Sequence, residues 1–183
     1  MPKKKSNKEE YSYLVVRINN FIARVDSSIN HEVYDKRYRT GDTKVYSFYT
    51  ALDISGNLIY PEEDIGNTYH ISIYGEGSRY KELDLTLKDC HATDEVGNLK
   101  YRKRKGVDEP EYDIPKNIGY IEKVRGEKAW SGAIWVNNDA ITNMLTILSI
   151  EKESYIEIHK LKVNRNHLIR GFTVQNCDPN AES

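Results

Sequence analysis

This sequence predicts a mainly β domain with one amphipathic helix, and three observations predict it. First, apolar and polar residues alternate along most of the chain, as in Leu14, Val16, Ile18, then Tyr69, Ile71, Ile73, then Trp130, Ile134, Val136. Successive side chains of a strand point to opposite faces, so a period of two means a strand with one buried face. Second, turn-forming residues punctuate these runs, which favours short strands joined in sequence. Third, a single segment carries a clear helical period. The expected architecture is an antiparallel β-sandwich or a partly open barrel, with an α+β sheet covered by the helix as the alternative. The expected organisation is a flexible tail over residues 1–10, one β-rich domain over 11–175 and a second flexible tail over 176–183.

The opening decapeptide, MPKKKSNKEE, is charged and lacks periodicity. A strand follows from Tyr11 to Val25, with a change of parity inside it. Leu14, Val16 and Ile18 are even, whereas Phe21, Ala23 and Val25 are odd. A slip of one residue moves every side chain to the other face, so a β-bulge is expected near Asn19–Asn20, or else two short strands with a bend. Residues 26–44 read as a long polar connection. Tyr46, Phe48, Leu52 and Ile54 resume the alternation, and Ser55-Gly56-Asn57 reads as a tight hairpin turn into Leu58-Ile59-Tyr60.

Further strands are expected at Tyr69–Tyr74, Leu83–Cys90 and Leu99–Lys103, with turns at Gly75-Glu76-Gly77 and Gly97-Asn98. The segment Lys105–Asn117 holds Pro110, Pro115 and several acids, and reads as a long exposed loop. Ile118–Val124 and Ala129–Val136 flank Arg125-Gly126, a hairpin turn.

The helix is expected over about residues 138–149. Ile141, Met144, Leu145 and Leu148 fall at i, i+3, i+4 and i+7, one face of a helix. Asn137 suits the N-cap, Asp139 places a negative charge in the first turn, and Val136 and Ile141 occupy hydrophobic-staple positions. Two last strands, Tyr155–Val163 and Ile169–Val174, flank a turn at Asn164-Arg165-Asn166.

Composition bounds the function. At 183 residues the chain is long enough to bury a core without disulfides or metals. Its two cysteines, Cys90 and Cys177, are too few for a disulfide framework, and two free thiols in a reducing compartment are the simpler reading. A net charge of -1 excludes a polycation, so nucleic acid would have to meet a local patch. No run approaches the roughly 20 apolar residues of a membrane span, so a soluble, cytoplasmic protein with no membrane partner is expected. The 14 tyrosines, against three phenylalanines and two tryptophans, are spread along the strands and suit half-exposed strand positions; the alternative reading is a binding face, since tyrosine is enriched at interfaces.

One candidate site emerges. Lys100, Arg102, Lys103, Arg104 and Lys105, with Tyr101 among them, offer cations to neutralise phosphates and a ring to stack on a base. The acids that follow, Asp108, Glu109, Glu111 and Asp113, offset that charge. Cys90-His91 is the one adjacent thiol–imidazole pair, but strand neighbours point to opposite faces, so a Cys90 nucleophile needs a histidine brought near by folding. The five histidines show no metal-ligand spacing, and no catalytic motif surrounds any serine. No cofactor or metal is expected. The leading expectation is a non-enzymatic binding module that recognises a protein partner or self-associates. A nucleic-acid-binding accessory protein acting through residues 100–105 and an enzyme with a Cys90 nucleophile are the alternatives.

Overall fold

Residues 9–29, 31–37, 40–41, 43, 45–76, 85–150 and 152–180 are described by a computed structural model. The chain divides into two compact units, residues 1–77 with 117–183, and residues 78–116. The first unit contains β1 (Glu9–Ile29), β2 (Tyr46–Tyr60), β3 (Thr68–Glu76), β6 (Gly119–Lys123), β7 (Ala129–Val136), α1 (Asn138–Ile150), β8 (Tyr155–Val163) and β9 (Asn166–Gln175). The second contains the hairpin of β4 (Tyr101–Arg104) and β5 (Val107–Pro110).

The seven strands of the first unit form a closed barrel in the order β1-β2-β3-β7-β6-β9-β8, with β8 returning to β1. The β-rich class with one helix therefore holds, but the sheet closes on itself instead of facing a second sheet. Nor is it wholly antiparallel: β3 and β7 run parallel. Parity requires this. An odd number of strands cannot alternate direction all the way round a ring, so at least one joint must be parallel. Parallel neighbours need a crossover connection, and residues 77–128 lie between β3 and β7.

The change of parity in β1 is a bulge at the expected place. Ile18 faces Gly56 and Asn20 faces Ser55, which leaves Asn19 as the extra residue. A second irregularity lies where Val15 faces Tyr60 and Val16 faces Leu58. Ser55-Gly56-Asn57 is not a turn, because β2 runs straight through it. Glycine is there for closeness: a Cβ on Gly56 would overlap the carbonyl oxygen of Arg17. The turn-like composition of this triplet records a crowded strand crossing.

The interior is lined by Leu14, Val16, Leu52, Ile54, Ile71, Ile73, Ile134, Ile156, Ile158 and Ile169, all buried. Each such side chain contributes about 1.5–3 kcal/mol by leaving water. The helix arises as its sequence implies. Asn137 Oδ1 accepts the Ala140 N–H at 2.7 Å, and Val136 and Ile141 are both buried in the same core. Its buried face is Ile141, Met144 and Leu148, packed into the same core; its neighbours are β2, β3 and β9. Thr50 Oγ1 donates to Asn138 Oδ1, which ties the start of the helix to β2.

Other expectations meet mixed outcomes. The β6–β7 hairpin turns through Gly126 at φ 83°, and β8–β9 turns at Asn164, whose φ of 59° suits a tight hairpin. Leu85 and Leu87 do not belong to a strand; both are exposed, Leu85 before and Leu87 at the start of a turn over residues 87–90, while Leu83 lies outside the described residues. The segment expected as one long loop, Lys105–Asn117, instead contains β5. Lys105 and Gly106 both take positive φ, 50° and 85°, as a two-residue hairpin turn requires. Among the described residues no helix is long and apolar enough to cross a membrane.

Candidate functional site

The basic segment lies on the β4–β5 hairpin. Arg102 faces Glu109 and Lys103 faces Asp108 across it, and Arg104 pairs with Glu109 at 3.9 Å. Acids therefore stand opposite or beside three of the five cations and offset part of their positive charge. Tyr101 is exposed, but its ring packs edge-on against His91 with centroids 5.3 Å apart, and His91 also meets Tyr112 at 5.4 Å. The backbone carbonyl of Lys100 bonds the His91 ring at 3.1 Å and accepts the Glu111 N–H. Lys105 sits in the turn itself.

Cys90 is half-buried, and its carbonyl accepts the Asp113 N–H at 2.7 Å. His91, its neighbour, is committed to Tyr101, Tyr112 and Lys100. Among the described residues no histidine bonds the Cys90 thiol, and no group of three or more His, Cys, Asp or Glu gathers to hold a metal.

A different surface stands out, on the outside of the barrel across β1, β2, β3, β7 and β6. Residues directly opposite each other in neighbouring strands share a face. One register line runs Asn20, Ser55, His70, Ser131, Glu122. The next runs Ile22, Asp53, Ser72, Ala133, Tyr120. A third runs Arg24, Ala51, Tyr74, Trp135. The first two lines enclose a groove of about 320 Å³ whose polar lining is Asn20, Asp53, Ser55, His70, Ser72 and Ser131. Asp53 organises it, because its carboxylate accepts Ser72 Oγ at 2.6 Å and pairs with the Arg24 guanidinium.

Beside the groove four rings form a continuous row. Tyr49 meets Tyr74 at 5.8 Å, Tyr74 meets Trp135 at 6.2 Å and Trp135 meets Tyr120 at 5.9 Å. The rings are tilted by 31–40° to one another, within the range in which aromatic pairs attract. Tyr49, Tyr74 and Trp135 are half-buried and Tyr120 is 43% exposed. The row is therefore rigid and still offers ring surface to the outside.

A second apolar surface continues the inner face out of the barrel. The run Ile54, Leu52, Thr50, Phe48, Tyr46 along β2 keeps one face, as does Phe21, Ala23, Val25, Ser27, Ile29 along β1. Leu52 is fully buried, whereas Phe48 is 67% and Val25 81% exposed. The β1–β2 ribbon thus carries core-like residues beyond the core.

Sequence reasoning missed the aromatic row. Its only trace was an abundance of tyrosine, because the parallel joint that brings Tyr74 beside Trp135 has no local signature. No protein family matches the chain, nor does any curated protein or solved structure.

Proposed function

We propose that this protein is a non-enzymatic binding module whose recognition surface for a protein partner is the outer face of β2, β3, β7 and β6. The observation that carries the reading is the Tyr49–Tyr74–Trp135–Tyr120 row. Tyrosine and tryptophan anchor protein interfaces because they bury large, stiff surface while keeping a polar tip. The groove beside the row supplies serine hydroxyls, an amide and an imidazole for hydrogen bonds. Asp26, Asp53 and Glu122 on the same face oppose a polyanion, so the fitting partner offers apolar side chains to the rings and basic or neutral groups to the groove.

The experiment is comparative capture from the protein's own cell extract, followed by measured affinity for whatever is retained. Tyr74→Ala and Trp135→Ala are expected to weaken binding by about thirtyfold each, the scale of an interface hot spot. Lys103→Ala in the β4–β5 hairpin is expected to leave it unchanged. The opposite pattern, with nucleic acid retained and lost on neutralising Lys100–Lys105, would replace this reading with the nucleic-acid one.

A further inference from the structure

Beyond Arg17, β1 is paired on one side only. β8 accompanies it from Glu9 to Arg17, while β2 accompanies it from Val15 to Ile29. The Ile18 N–H reaches the Ser154 carbonyl at 2.8 Å, and among the described residues no strand lies on that side further along. Every residue from Ile22 to Ile29 is exposed. An edge of this kind presents a row of backbone donors and acceptors that another strand can satisfy.

We propose that the other strand is the same edge of a second copy, and that the protein dimerises by antiparallel pairing of β1 with β1 about Val25. The edge is self-complementary in that register. A two-fold axis at Val25 sets Arg24 opposite Asp26 of the second copy, twice, and sets Phe21 opposite Ile29, twice. Moving the axis by one residue sets Arg24 against Arg24 or Asp26 against Asp26. Charge therefore selects one register, and the side-chain period of two keeps matched residues on matched faces. Arg24 and Asp26 lie on the outer face, while Phe21, Val25 and Ile29 lie on the inner one. The paired length, Phe21 to Ile29, is about 30 Å of strand.

This dimer goes beyond the binding reading: it rests on the β1 edge and not on the aromatic row, although Arg24 and Asp26 belong to the same outer face and Arg24 also pairs with Asp53. It joins the two barrels through one continuous sheet, and its outer face carries both aromatic rows.

The test is sedimentation equilibrium on the full chain, with no partner present. Wild type is expected to dimerise. Asp26→Arg alone and Arg24→Asp alone each place like charges at both contacts, and each is expected to dimerise about tenfold or more weakly. An equimolar mixture of the two variants restores both opposite-charge contacts, so it is expected to recover a heterodimer near wild-type affinity. Circular dichroism on each variant establishes that it is folded, and the mixture reports complementarity even if one variant is less stable. A wild-type monomer at the highest soluble concentration overturns the proposal. So does a mixture no better than its components. Neither result bears on capture by the aromatic row.

Discussion

The two halves of β1 carry the same alternation and end in opposite environments. Leu14 and Val16 are 1% exposed inside the barrel, whereas Val25, on the same strand, is 81% exposed. The difference lies in what surrounds each half. Up to Arg17 the strand pairs with β8, joined by β2 from Val15, and Leu14 and Val16 face the closed core; beyond Arg17, among the described residues, it pairs with β2 alone. Periodicity identifies a strand and its apolar face, but what covers that face is decided by elements distant in sequence. Where nothing in the chain covers it, apolar alternation marks a surface available to another molecule.

The sharpest test of that contrast is truncation on the two halves of the ribbon. Leu52→Ala empties part of the core and is expected to cost about 2–5 kcal/mol. Val25→Ser, an equally apolar position by sequence, is expected to change monomer stability by less than about 0.5 kcal/mol. Urea unfolding at low protein concentration measures both; equal losses would show that the ribbon face is covered in solution. Next comes Gly56→Ala, which pushes a methyl group into the Arg17 carbonyl and is expected to cost about 1–3 kcal/mol. Gly41→Ala meets open space and should be nearly silent, so a silent Gly56→Ala would mean that β1 and β2 are not pressed together there.

Asn137→Ala removes the side-chain acceptor of the Ala140 N–H, with an expected loss of about 1 kcal/mol in thermal or urea unfolding. If stability holds, the helix start is secured by the staple and not by the cap. The mildest effect concerns pH. Burial, followed by the nearby Lys160 and Lys162, pushes the His167 imidazole below its ordinary value of 6.5. The folded chain resists the proton that the unfolded chain accepts. Its contribution is therefore complete above about pH 6.5 and is lost as pH falls toward the lowered folded value. His167→Gln should flatten the stability curve across that range; an unchanged slope would show that His167 titrates freely.

Local physics made much of the fold legible. The Asn137 cap, the Val136–Ile141 staple and the Ile141–Leu148 face belong to one continuous segment, so the helix could be read directly. The bulge at Asn19 was legible because it shifts parity within a single strand. Ser55-Gly56-Asn57 misled because a glycine needed for backbone approach looks the same as one needed for a turn. Leu85 and Leu87 misled because alternation over so few residues lacks the flanking partners that make a strand. Of the candidate site, the basic segment and the acids that follow it were visible, but not the register that sets Glu109 opposite Arg102 and Asp108 opposite Lys103. The aromatic row depends on joints between β2 and β3, β3 and β7, and β7 and β6, and one of those is parallel.

The closed ring also imposes an order in time. Four joints, β1–β2, β2–β3, β6–β7 and β8–β9, connect strands that follow each other in the chain. Hairpins of this kind form within microseconds of one another. The joints β3–β7, β6–β9 and β8–β1 must instead find residues far apart, and the entropy of closing those loops is spent before their hydrogen bonds are gained. The β1–β2 ribbon therefore exists early, as a finished hairpin with its apolar face uncovered, while the rest of the ring is still searching. In the proposed dimer a second chain meets that same edge in the native state, so assembly and folding would compete for one strand.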